Sequence, residues 1–177
     1  MTPEDLYKKA SLIKLAAFDV DGVMTSGELI FGEQGEEYKI FNVQDGFGLV
    51  MLREAGISVA VISARSSPVV DKRMAELGVK HIIQDMRDKR QALNMLSNDL
   101  GLELEQTVFT GDDVLDLPAM NAAGLSIAVA NAHQRVKASA DWVTTLRGGQ
   151  GAVREICELL LQAQGRLEEI YQKCLAT

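Results

Sequence analysis

The sequence predicts an α/β fold: one doubly wound, mostly parallel sheet carrying an inserted β-hairpin. Nearly unbroken apolar runs, such as Leu15-Ala16-Ala17-Phe18 and residues 57–62, suit strands buried on both faces. They alternate with amphipathic stretches closed by Gly78, Gly101 and Gly124, the rhythm of repeated β-α units. At 177 residues with 47% hydrophobic side chains, the chain suits a single domain spanning 1–177.

Thr2-Pro3-Glu4-Asp5 opens a first helix, to about Leu12, with a capping hydroxyl, proline in the first turn and acids at the dipole's positive end. The strand 15–18 follows. Residues 27–46 then break the rhythm: Leu29–Phe31 and Tyr38–Phe41 are β-rich around Gly32-Glu33-Gln34-Gly35, predicting a hairpin flap over about 27–42. Further on come strand 57–62, helix Pro68–Leu77, strand His81–Ile83 and helix Lys89–Leu100. Strand Thr107–Thr110, helix Leu117–Ala123, strands Ser126–Ala130 and Trp142–Thr144, and helix Ala152–Ala163 complete the order.

Composition excludes several classes. A net charge of -7 and only 5% aromatics argue against nucleic acid, which needs basic surface or stacking rings. No apolar stretch approaches a membrane span and no cleavable signal is visible. Cys157 and Cys174 form neither a CxxC pair nor a disulfide framework. Together these predict a cytoplasmic protein without a membrane partner.

The stretch LAAFDVDGVMTS sets two carboxylates, Asp19 and Asp21, at the end of a buried strand. Burying a carboxylate costs several kcal/mol without compensation. In a parallel sheet, all strand carboxyl ends share one edge. Ser63 follows the second core strand, Lys89 opens the helix after the third, and Gly111-Asp112-Asp113 follows the fourth. Each has a bland reading alone: helix cap, turn hydroxyl, solvated lysine, common turn. Their recurrence at successive strand ends favours one site.

Carboxylates gathered at one rim repel by roughly 4 kcal/mol per pair at 4 Å and an effective dielectric near 20. A divalent cation relieves that, and all-oxygen ligands favour Mg²⁺. Lys89, the Ser63 hydroxyl and loop N–H groups suit a phosphate dianion. Asp19 is placed to attack phosphorus, and Asp21 to protonate the leaving group and then activate water.

This constellation resembles the haloacid dehalogenase-like phosphohydrolases, through Asp19-Val20-Asp21-Gly22-Val23, Ser63, Lys89 and Gly111-Asp112-Asp113-Val114-Leu115-Asp116. The resemblance implies a Rossmann-like core, with the metal held by the Asp19 carboxylate, the Asp21 backbone carbonyl and Asp112. Asp113 and Asp116 then support the metal loop. The short hairpin, FNVQDGFG (41–48) and GGQGAVREICELLLQAQG (148–165) look like a capless, homotetrameric branch of lipopolysaccharide precursor synthesis. That likeness implies 3-deoxy-D-manno-octulosonate 8-phosphate as a small phosphorylated sugar-acid substrate. It also implies substrate contacts at Asn42, Val43, Gln44, Asp45, Gly46, Arg65, Arg73 and Lys89, since guanidinium matches carboxylate. The chain departs from the branch at Gln44 and Val50, where some members have arginine, and at Ala64, where glycine is common.

Alternatives are a phosphatase of the same core acting on another sugar-acid phosphate or small phosphometabolite, or a silent regulatory member of the fold. A receiver domain is disfavoured because no aspartate ends the third strand, and a dehydrogenase because no GxGxxG follows the first. His81, His133 and Trp142 read as structural, Ile156 and Leu159–Leu161 as core. Residues from Arg166 read as a tail helix ordered only in an oligomer.

Overall fold

A computed structural model of the chain describes residues 1–176. Helix α1 (Pro3–Ser11), capped by Thr2 accepting from the Asp5 N–H, leads into β1 (Leu15–Phe18). Strands β2 (Ile30–Phe31) and β3 (Glu37–Tyr38) pair antiparallel as the expected hairpin. Then come α2 (Val43–Glu54), β4 (Ser58–Ile62), α3 (Pro68–Glu76), β5 (His81–Ile83) and α4 (Lys89–Asp99). The chain closes with β6 (Thr107–Gly111), α5 (Leu117–Met120), β7 (Leu125–Ala128), α6 (Gln134–Ser139), β8 (Trp142–Val143), α7 (Ala152–Ala163) and α8 (Leu167–Leu175).

The main sheet runs β5-β4-β1-β6-β7-β8, every pair parallel. All four residues of β1 are fully buried, so both faces of the sheet's centre are covered. Helix α7 packs against both α1 and α2, while α4 packs against α5. Ile156, Leu160 and Leu161 are fully buried, as their apolar stripe predicts. No helix among the described residues is long and apolar enough to cross a membrane.

Two expectations need correction. The helix expected over Leu117–Ala123 ends at Met120 and is preceded by a 3₁₀ turn, Val114–Asp116. A turn releases it, because Gly124 must pass against the Glu105 backbone, where a Cβ would sit 2.3 Å from the carbonyl oxygen. The tail helix needs no second subunit for its packing. Ile170 of α8 is fully buried against the same chain's core, and Tyr171 Oη donates to Glu158 Oε1 of α7 at 2.6 Å.

Candidate active site

Register explains why distant residues meet. Phe18 lies level with Val61 on one side and Thr110 on the other, so the residues leaving these three strands become neighbours. Strand β1 is also where the strand order reverses, the crevice that open α/β sheets use for ligands. Asp19 leaves β1 with its N–H donating to the Thr110 carbonyl at 3.0 Å and its side chain buried.

Lys89 compensates that burial. Asp88 caps α4 by accepting from the Gln91 N–H, which makes Lys89 the first helical residue. Its Nζ reaches Asp19 Oδ1 at 2.7 Å and Asp116 Oδ1 at 2.5 Å. Burial works against the ammonium charge, but Asp19 and Asp116 outweigh it and raise the lysine's pKa. The other Asp116 oxygen accepts from the N–H groups of Asp112 (2.9 Å) and Asp113 (3.2 Å), so Asp116 shapes the loop.

Asp19, Asp112 and Asp116 bring carboxylate oxygens within 4.8 Å of one another. Burial first, then the Asp116 charge, pushes Asp19 up to about 7 despite Lys89. Burial, then Asp19 and Asp116, pushes Asp112 up to about 7. One lysine among three acids leaves negative charge uncompensated, and the ligands on offer are oxygens, which fits a hard divalent cation. Both Asp116 oxygens are engaged, so Asp19 and Asp112 hold the carboxylate capacity left for an ion. Gly22, at φ +93°, gives Asp112 its room; a Cβ there would strike Asp112 Oδ2 at 2.1 Å.

Ser63 follows β4 and is buried, its Oγ accepting from the Arg65 N–H at 3.2 Å. Asp19, Asp21, Ser63, Arg65, Lys89 and Asp112 all line one cleft of about 310 Å³. Asp21 stands at its mouth, with Oδ1 2.5 Å from Lys39 Nζ and Oδ2 3.4 Å from Arg65 Nε. The arrangement offers a buried carboxylate, a cation beside it, a hydroxyl and a second carboxylate at the opening. Phosphoryl transfer uses such a set.

Comparison with known proteins agrees. The family model for haloacid dehalogenase-like hydrolases matches residues 75–156. A relative from Escherichia coli K12, named 3-deoxy-D-manno-octulosonate 8-phosphate phosphatase, is 44% identical over 93% of this chain and 88% of its own length. This chain belongs to the haloacid dehalogenase-like hydrolases. A Moraxella catarrhalis enzyme of the same name, solved with magnesium, phosphate and KDO, superposes with a TM-score of 0.95 at 45% identity. That match covers 97% of this chain and 99% of the other. The cobalt-bound Haemophilus influenzae phosphatase gives a TM-score of 0.89 at 42% identity, over 93% and 99% of the two chains.

Within one chain of this haloacid dehalogenase-like hydrolase, the other expected substrate contacts lie outside the cleft. Asn42 caps α2, its Oδ1 accepting from the Gln44 (2.7 Å) and Asp45 (3.3 Å) N–H groups, so Val43, Gln44, Asp45 and Gly46 form a helical first turn. Asp45 is buried against α7, accepting from the Gly151 (3.2 Å) and Arg154 (2.9 Å) N–H groups. Arg73 lies along Gly46 and pairs with Glu76 at 3.3 Å. His133 caps α6, its Nδ1 accepting from the Arg135 N–H.

Three contributors escape the sequence reading. Asn131 accepts from the Gly148 N–H (2.7 Å) and donates to the Gly22 carbonyl (3.3 Å), tying the loop after Asp19 to the distal Gly148-Gly149 turn. It follows β7, so the rule that found Asp19 and Ser63 finds it too. Glu37 and Lys39 sit on and beside an exposed two-residue strand, where charged side chains read as solvated.

Proposed function

We propose that this chain is a Mg²⁺-dependent phosphomonoesterase that hydrolyses 3-deoxy-D-manno-octulosonate 8-phosphate through an aspartyl-phosphate on Asp19. The observation that carries the reading is the Lys89 bridge from Asp19 to Asp116 beside Asp112 at the sheet's switch point. The name shared by the relatives supplies the substrate.

The Asp19 oxygen not held by Lys89 attacks phosphorus. The bond from phosphorus to the sugar oxygen breaks, and Asp21 gives the departing alkoxide its proton. Water then attacks the aspartyl-phosphate, Asp21 takes a proton from it, and phosphate leaves with Asp19 restored. Lys89 and the Ser63 hydroxyl offset charge on the transferring oxygens. Asp19, the Asp21 backbone carbonyl and Asp112 would hold Mg²⁺, which when bound supplies Lewis-acid neutralisation of that charge.

The hairpin supports a homo-oligomer, read as a tetramer. Ile30, Phe31, Tyr38 and Ile40 are all exposed on a ribbon of two residues per strand, too small to stand alone and too apolar for free surface. The sequence pattern supports a cytoplasmic location. A panel of sugar phosphates with and without Mg²⁺ tests the activity. Highest kcat/KM on 3-deoxy-D-manno-octulosonate 8-phosphate is expected, and no Mg²⁺-dependent turnover of any member sinks the reading.

A further inference from the structure

Beside the cleft, where the hairpin meets the core, four charges neutralise one another. Arg65 Nη2 donates to Glu37 Oε1 at 2.7 Å, while its Nε lies 3.4 Å from Asp21 Oδ2. Lys39 Nζ lies 2.5 Å from Asp21 Oδ1 and 3.3 Å from the same Glu37 oxygen. Asp21 and Arg65 belong to the core; Glu37 and Lys39 arrive on the hairpin. The four differ in access: the Lys39 side chain is 2% exposed, that of Arg65 45%. Of these two cations, Arg65 is therefore the one a ligand in the cleft can reach.

A phosphate ester with its phosphoryl group at Asp19 has to pass its far end by these charges. A neutral far end offers nothing in exchange for Glu37, so the ion pair with Arg65 stays. A carboxylate can take Glu37's place with the charge balance unchanged. Glu37 is then not stranded, because Lys39 already holds it. The nearby Ser67 hydroxyl first, with Arg65 and Lys39, keeps its pKa at about 2, so it is an anion at any working pH.

We propose that Glu37 is a placeholder for the substrate's own carboxylate, occupying Arg65 in the free enzyme and yielding it to an acidic sugar phosphate. Glu37 thus tempers the pull of Arg65 on an acidic far end without touching the reacting atoms. This rests on the sugar-acid reading above and says why Arg65 stays paired until an acid arrives.

The test uses two probes that differ in the carboxylate, 6-phosphogluconate and glucitol 6-phosphate, as inhibitors of p-nitrophenyl phosphate turnover. In Glu37→Gln, the preference for 6-phosphogluconate, read as a ratio of inhibition constants, is expected to rise about two- to fivefold. That is the range for a partly exposed ion pair. Glu37→Asp, which shortens the reach but keeps the charge, shifts the ratio the same way by less, and serves if the glutamine variant folds poorly. Arg65→Met in the Glu37→Gln background removes the gain. An unchanged or falling ratio, or a gain that survives Arg65→Met, overturns the proposal. Failure of the unmodified chain to hydrolyse 3-deoxy-D-manno-octulosonate 8-phosphate overturns the substrate reading instead, since the probe ratio does not depend on that substrate.

Discussion

Gly148 lies against Gly22 so closely that a Cβ on Gly148 would fall 1.8 Å from the Gly22 carbonyl oxygen. The Gly149 N–H donates to Val23 O at 2.9 Å across the same contact. The loop that follows Asp19 is thus braced by a turn from the far end of the chain. Gly148→Ala has only backbone to push against, which cannot yield as a flexible side chain would. It is expected to destabilise by about 1–3 kcal/mol and to lower kcat as well. Denaturant unfolding and steady-state kinetics check this; a variant matching the parent in both would show that the brace is not needed.

Asp19→Asn separates the chemistry from the fold. Turnover should drop by more than about 10³-fold, as when a nucleophile is removed. Lys89 keeps Asp116 as a partner, and a carboxyl raised to about 7 by burial is no longer there to ionise. Stability at pH 8 without metal should therefore hold or rise. Retained activity would also revive the silent regulatory alternative.

Asp19 and Asp112, both near 7 in the folded chain against 3.8 ordinarily, link metal to pH. The folded values are raised. Without metal, their contribution to stability is present below about pH 4 and is lost as pH climbs through about 7. Mg²⁺ needs the ionised forms, so its stabilisation should grow across that window. Melting temperatures with and without Mg²⁺ from pH 5 to 8.5 check this, and a Tm gain independent of pH would contradict the site.

What the sequence made legible was local. Apolar runs fixed the strands, and a polar residue just past each run found Asp19, Ser63 and Asp112 without knowledge of any contact. Lys89 was legible because it opens the helix after the third core strand. Asp45 was legible only through the resemblance, which puts it among the substrate contacts; its partners within one chain, the Gly151 and Arg154 N–H groups, lie far along the sequence. Glu37 and Lys39 were invisible because only the fold-back of the hairpin turns solvated strand charges into partners of Asp21 and Arg65.

The Asp45 placement has its own consequence. Burial raises its pKa, and two α7 N–H donors depend on its oxygens. Asp45→Ala should cost about 1–3 kcal/mol by leaving those donors unpaired, with KM changed less than kcat per molecule of folded enzyme. A large rise in KM with unfolding unaffected would instead return Asp45 to the substrate site, as the sequence resemblance implies.

The hairpin's apolar face gives the last prediction. Phe31 is 59% exposed and sits on the two-residue β2, so within one chain it has almost nothing to lose. Phe31→Glu should leave the stability of a single subunit within about 0.5 kcal/mol, as exposed positions generally do. In an assembly built on hairpin contacts, the same change buries a charge in apolar surroundings with no cation to meet it. Light scattering coupled to size exclusion should then find the parent chain as an oligomer and the variant as a smaller species. Identical masses for the two would place the assembly surface elsewhere and leave these exposed side chains without a partner of their own kind.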